Sequence, residues 1–247
     1  MRKITVIQYK PGEQGPAGPQ GPPGPTGPID SSLVLYAPTN QTVKEVLDDL
    51  LFVDLNIIAF VTPQTVFEKG RVITSLTFSW TLNKEISSQS ITGTSVIPPT
   101  LSASDRSKSV SFSNLTSDGT VTLECDDGSG ADPVTSTINI SFLSGVITGS
   151  APLGTINSAF LNTLSKTLQA TKSKEFNVNL GVAAYGWYAI PTSYGAVEDV
   201  IFKVNGFSGG MTFAGVVSYT NDFGYTQDYN VWRTTNSGIG ATNIEAE

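Results

Sequence analysis

Residues 76–83 read Leu76-Thr77-Phe78-Ser79-Trp80-Thr81-Leu82-Asn83, a strict alternation of apolar with hydroxyl or amide side chains. Successive side chains of a strand point to opposite faces, so this stretch gathers Leu76, Phe78, Trp80 and Leu82 on one face and leaves the other to water. The alternation recurs at Val110 and Phe112, at Val121, Leu123 and Cys125, and at Ile138, Ile140 and Phe142. Turn-forming clusters separate these runs: Pro98-Pro99, Thr116-Ser117-Asp118-Gly119 and Asp126-Asp127-Gly128-Ser129-Gly130. Half-buried strands spaced by turns predict a β-sandwich, which we assign to residues 56–148.

That sandwich is similar to immunoglobulin or fibronectin type III domains in a generic way, without the inter-sheet cysteine pair. Cys125, in phase with Val121 and Leu123, is read as a buried, inert thiol. The run Asp126-Asp127-Gly128-Ser129-Gly130-Ala131-Asp132 faintly resembles a calcium loop, but strand-like flanks and no closing Glu make it a hairpin loop. Downstream, residues 149–247 form a further unit. Ile156, Ala159, Phe160, Leu164 and Leu168 suggest one amphipathic helix opening at Thr155. Strand patterns resume at Phe176-Val178-Leu180-Val182, at Val200-Phe202-Val204 and from Met211 to Tyr219, giving a compact, mostly β tip. Its aromatics have two readings. Tyr225, Tyr229 and Trp232, with Asp222 and Asp228 beside them, suit a glycan-binding platform. Aromatics in strands also serve as core or subunit interface.

Upstream of the sandwich, apolar residues at Val43, Val46, Leu47, Leu50 and Leu51 follow helical spacing. Thr42 and Glu45 complete a capping box. We assign residues 30–55 to a short helical trimerisation segment; the alternative is that the stripe packs on its own chain's sandwich. Residues 12–29 place glycine at every third position: Gly12, Gly15, Gly18, Gly21, Gly24 and Gly27. Proline follows five of these six glycines. Only a hydrogen side chain fits at the axis of a collagen triple helix, and proline presets the polyproline II backbone it needs. A flexible linker has no reason to hold this phase. At about 3 Å per residue the stem would be roughly 50 Å long, and it requires three chains. The fold class is therefore mostly β: a short collagen stem, a short helical trimerisation segment, an Ig-like sandwich and a β-rich C-terminal tip with one helix, assembled as a homotrimer.

Composition narrows the chemistry. The chain of 247 residues has one cysteine and no histidine, so no Ser-His or Cys-His pair and no zinc site of the usual N/S type can form. No carboxylate pair stands out for glycoside hydrolysis, and we expect no enzymatic activity and no cofactor. A net charge of −7 argues against nucleic acid as a partner. No apolar run reaches the roughly 18 residues a membrane span needs, so no membrane insertion is expected. Met1-Arg2-Lys3-Ile4-Thr5-Val6-Ile7 lacks the apolar stretch of a signal peptide, and export through the secretory route is not expected. Charged residues are 14% of the chain, against roughly 25% in ordinary soluble domains, which suits a hydroxyl-rich extracellular or virion surface.

Four stretches carry a family resemblance: Phe67-Glu68-Lys69-Gly70; Leu76 to Lys84; Phe202-Lys203-Val204-Asn205-Gly206-Phe207-Ser208-Gly209-Gly210; and Gly224-Tyr225-Thr226-Gln227-Asp228-Tyr229-Asn230-Val231-Trp232-Arg233. Over roughly residues 40 to 247 the chain resembles bacteriophage virion fibre proteins of the tail-fibre and head-fibre type. The resemblance implies a trimeric fibre on the virion exterior, its N-terminus docked on the particle and its C-terminus outward. Residues 1–11 would then be the anchor. Arg2 and Lys3 make the segment basic, and Ile4, Val6 and Tyr9 supply apolar groups for adding a strand to a head, neck or baseplate protein. A host surface glycan would be met by the tip. The alternatives are a purely architectural decoration without a ligand, and a secreted collagen-like bacterial adhesin, which the missing signal peptide and anchor disfavour.

Overall fold

The computed structural model describes residues 53–247, together with the short stretches 35–36 and 41–42. The chain divides into two compact units, residues 1–54 and 55–247. In the first, β1 (Leu35–Tyr36) and β2 (Gln41–Thr42) pair antiparallel, Leu35 opposite Thr42. The anchor at 1–11, the glycine triplets at 12–29 and the apolar stripe at 43–51 lie outside the described residues.

The second unit holds two pairs of sheets. The first pair is built from β3 (Ile57–Val61), β4 (Val66–Glu68), β5 (Ile73–Leu82), β6 (Ser88–Gly93), β7 (Val96–Ile97), β8 (Ser107–Leu115), β9 (Gly119–Asp126) and β10 (Val134–Leu143). One sheet runs β3-β5-β8-β7 and the other β4-β10-β9-β6. Every pairing is antiparallel except β4 with β10, where Phe67 lies opposite Phe142. The alternating residues of both sheets meet in one core: Phe78, Trp80, Val110 and Phe112 from one side, Phe67, Ile91, Val121, Leu123 and Ile140 from the other. Phe60 stacks on Phe78 at 5.4 Å and meets Trp80 edge-on at 6.5 Å, both within the spacing aromatic pairs prefer.

Cys125 sits in this core, fully buried, and removal from water pushes its thiol up to about 11. The thiolate is the reactive form. At pH 8 the folded protein should therefore leave a disulfide reagent such as DTNB unreduced, and denaturation should release one titratable thiol per chain. Stoichiometric reaction without denaturant would contradict the burial.

The second pair of sheets comprises β11 (Gly145–Pro152), a one-turn helix α1 (Ser158–Leu161), β12 (Ser165–Leu168), β13 (Lys174–Leu180), β14 (Ala184–Pro191), β15 (Phe202–Val204), β16 (Phe207–Ser208), β17 (Met211–Thr220), β18 (Thr226–Thr234) and β19 (Gly240–Ala246). A five-stranded sheet, β12-β11-β14-β18-β17, packs on a four-stranded one, β13-β19-β15-β16. Between them lie Val146, Phe176, Tyr188, Ile190, Phe202, Trp232 and Ile244. The five-stranded sheet is also covered on its other face, where Ile147, Trp187, Ala189, Tyr219, Tyr229 and Val231 pack with Leu161 of α1 and the adjoining Phe160 and Leu164. Both faces of β14 are thus apolar, and six consecutive residues, Gly186 to Pro191, are buried.

The expected amphipathic helix from Thr155 is cut to one turn. The Asn157 side chain caps it by accepting from the Phe160 N–H at 2.9 Å, and the Thr163 hydroxyl closes it by donating to the Phe160 carbonyl at 2.7 Å. Ser165-Lys166-Thr167-Leu168 instead pairs with the edge of β11. β-Branched and short hydroxyl residues favour a ladder over a helical turn. Leu168 therefore faces a sheet partner, not a helix stripe. The strand expected through Val182 ends at Leu180, and Val182 is 99% exposed.

Candidate functional site

The two pairs of sheets are separated in sequence by a single residue, Ser144, between β10 and β11. Ser144 is buried, its hydroxyl accepting from Gln227 Nε2 at 2.6 Å and its carbonyl from the Tyr194 hydroxyl at 3.2 Å. Beside it, Glu68 at the end of β4 reaches across to the second pair of sheets. One carboxylate oxygen, Oε1, accepts from Lys166 Nζ at 2.7 Å and from Asn221 Nδ2 at 2.9 Å. Burial lowers the affinity of Lys166 for its proton, but Glu68 and Tyr219 together outweigh it and hold the ammonium above its ordinary range. The same ammonium lies 6.0 Å over the Tyr219 ring.

Asn221 uses its whole amide. Nδ2 also donates to the Lys69 carbonyl at 2.7 Å, and Oδ1 accepts from the backbone N–H groups of Phe223 and Tyr225, each at 3.0 Å. Two donors facing oxygens and one oxygen facing two N–H groups fix which way the amide points. This ties the 221–225 loop between β17 and β18 to the 68–70 turn between β4 and β5. Gly70 sits at the contact with φ of +90°, and a Cβ there would come within 2.6 Å of the Tyr225 Cβ. Glycine is needed here twice, for its backbone angle and for the approach.

The clamp forms one wall of a cleft of about 570 Å³. Lys69, Gly70 and Tyr225 stand on one side, the β8–β9 turn Thr116-Ser117-Asp118 on another, and the buried Phe142 of β10 lies at its floor. Asp118 Oδ1 accepts from the Phe142 N–H at 2.6 Å, which orients the carboxylate and leaves Oδ2 for a further contact. Lys69 makes no ion pair among the described residues. The cleft thus combines a half-exposed aromatic ring, two hydroxyls, an ammonium and a carboxylate oxygen. Such a set offers a stacking surface together with hydrogen-bond donors and acceptors.

The residues singled out from sequence are scattered by the fold. Tyr229 and Trp232 are 1% and 3% exposed, so neither can serve a surface platform. Tyr229 and Trp232 occupy opposite faces of β18, the first in the core with Trp187 and the second in the core with Tyr188. Alternation along a strand makes that separation unavoidable. Asp228 is exposed on β18 opposite Ser218, and Asp222 is exposed in the 221–225 loop. Of the three rings only Tyr225, at 37% exposure, lies on the cleft. Sequence reading missed Thr116, Ser117 and Asp118 as site residues because their turn chemistry accounts for them locally.

The 126–132 segment begins the β9–β10 connection. Asp126 Oδ1 accepts from the Gly128 N–H at 2.7 Å and Asp127 Oδ1 from the Ser129 N–H at 2.9 Å. Lys84 contacts the Asp127 carboxylate, and with the Ser129 hydrogen bonds it holds that group far below the usual carboxylate range. Among the described residues no group of three His, Cys, Asp or Glu side chains is placed to hold a metal ion, and no helix is long and apolar enough to cross a membrane. No family model, curated protein or solved structure matches this chain.

Proposed function

We propose that this chain is a subunit of a homotrimeric, collagen-stemmed fibre carried on the exterior of a bacteriophage particle, with a display role and no catalytic one. The observation that carries the reading is the unbroken glycine period from Gly12 to Gly27, which has a physical purpose only when three chains share an axis. The β-rich unit that follows it supports the reading. Its first pair of sheets has the order of an immunoglobulin-type sandwich, two sheets of the ABED and CFG kind. The short parallel β4 lies on the edge of the second of these sheets. The basic segment containing Arg2, Lys3, Ile4, Val6 and Tyr9 is the proposed attachment to a head, neck or baseplate protein.

Sedimentation equilibrium of the full chain tests this. The expected particle contains three chains of 26.1 kDa; a monomer or dimer at micromolar concentration rejects the stem. In the same preparation Gly21→Ala should weaken the collagen-type circular dichroism and lower its melting point, because three methyl groups would enter an axis with no room for them. The β-sheet signal should stay as it was. If Gly21→Ala leaves both collagen observables unchanged, residues 12–29 do not form a triple helix in solution.

A further inference from the structure

The cleft beside the Glu68–Asn221 clamp lies between the two pairs of sheets, away from the strand-buried aromatics that sequence reading singled out. Its volume of about 570 Å³ is that of a small-molecule site, where roughly 300–1,000 Å³ is typical. Its lining decides the class of ligand. A pyranose has an apolar C–H face and a rim of hydroxyls that both donate and accept. Such a ring needs an exposed aromatic face and polar groups of both kinds around it. Tyr225 offers the face, and the Thr116 and Ser117 hydroxyls donate and accept. Asp118 Oδ2 accepts and the Lys69 ammonium donates.

The cleft is neutral as a whole, since the one ammonium and the one carboxylate offset each other. A phosphate or a sialic acid would meet the Asp118 charge at short range. A neutral sugar meets no such penalty. The site is also held in shape before any ligand arrives. The Tyr225 backbone is fixed at both its N–H and its carbonyl by Asn221, its Cβ rests on Gly70, and Asp118 is oriented by the Phe142 N–H. Preorganisation of this kind lowers the ordering cost of binding.

We propose that this cleft binds a neutral saccharide, with a pyranose ring stacked on Tyr225 and its hydroxyls bonded to Asp118, Lys69 and the 116–117 hydroxyls. The proposal rests on the fibre reading for its biological use and not for its chemistry. Three copies on one stem would raise the avidity of a weak single site by roughly 100-fold or more.

The test screens the full chain against immobilised neutral and acidic saccharides, then measures the dissociation constant of the best ligand by titration calorimetry. Two variants accompany it. Tyr225→Ala keeps the Cβ that packs on Gly70 but removes the ring. Ser117→Trp, at an exposed turn, fills the cleft. Neutral saccharide binding should weaken about tenfold in Tyr225→Ala and vanish in Ser117→Trp, with the thermal midpoint of each unchanged. Binding of no saccharide, binding indifferent to both variants, or a preference for acidic sugars would each overturn the proposal. Sedimentation of the same samples separates the two readings. A trimer without sugar binding ends the cleft proposal alone, and a sugar-binding monomer ends the fibre reading alone.

Discussion

Replacing Trp232 with alanine should lower stability by about 4 kcal/mol, the range for emptying a large aromatic site in a core. Trp232 stands in a cross-strand row, opposite Tyr188 on β14 and Phe213 on β17. Its ring lies 5.8 Å from Tyr188 and 5.5 Å from both Phe202 and Phe213. Phe202 belongs to the facing sheet, so removing the indole opens a void that touches both layers. Neighbours on rigid ladders cannot collapse into it. For a unit of this size such a loss corresponds to a fall of roughly 10 °C in the melting midpoint. Thermal and urea unfolding followed by circular dichroism check the result. A midpoint that barely moves would mean the ring is not part of the core.

The second large effect is expected at Glu68. Truncation to alanine leaves the Lys166 ammonium and the Asn221 amide without their shared acceptor. Only 20% of the lysine side chain and 11% of the glutamate side chain are exposed, so water replaces the lost contact poorly. Breaking a paired, mostly buried charge costs about 3 kcal/mol. The double variant Glu68→Ala/Lys166→Ala should be less destabilised than the sum of the singles, which isolates the pair term. The clamp also joins the two pairs of sheets. Urea unfolding of the wild type should show one transition, and Glu68→Ala should resolve two. The lysine sets the pH dependence. Its folded pKa is raised, so the contribution of the lysine's charge is fully present below the ordinary value of 10.5 and fades as pH climbs through the folded value. A Glu68→Ala midpoint equal to that of the wild type at pH 7 would remove the clamp from the stability argument.

Much of the fold was legible where one face of a sheet meets water. Leu76 to Leu82, Val121 to Cys125 and Ile138 to Phe142 alternate in sequence, and each run is a strand with its apolar set turned inward. The second pair of sheets was harder because its five-stranded sheet is covered on both faces. Trp187-Tyr188-Ala189-Ile190 shows no alternation, since each face needs apolar groups. For the same reason the sequence left Tyr229 and Trp232 open between a surface platform and a core, and two different cores claim them. The 156–168 stripe failed for a local reason: helical spacing coexisted with Thr163, Ser165 and Thr167, whose chemistry favours an edge strand once β11 offers one. Of the cleft, Tyr225 alone was singled out from the sequence. The walls come from three connections and one strand whose approach depends on long-range packing, and Gly70 betrays that approach only when Tyr225 is seen against it.

The strand order also sets a timetable for synthesis. β4 leaves the ribosome early, yet its ladder partner among the described residues is β10, ending at Leu143. β13 likewise waits for β19, which runs between β13 and β15 and carries the buried Thr242, Ile244 and Ala246. Contacts this distant along the chain form slowly, because closing the intervening loop loses entropy before any packing is gained. Neither pair of sheets can close until its final strand has been translated. A nascent chain stalled before residue 240 would hold Phe176 and Phe202 without the strand that seals them, with unpaired backbone edges beside them. Such intermediates are prone to aggregate or recruit chaperones. Only chains read through Ala246 would complete the second pair of sheets, so incomplete products would be marked by their failure to fold.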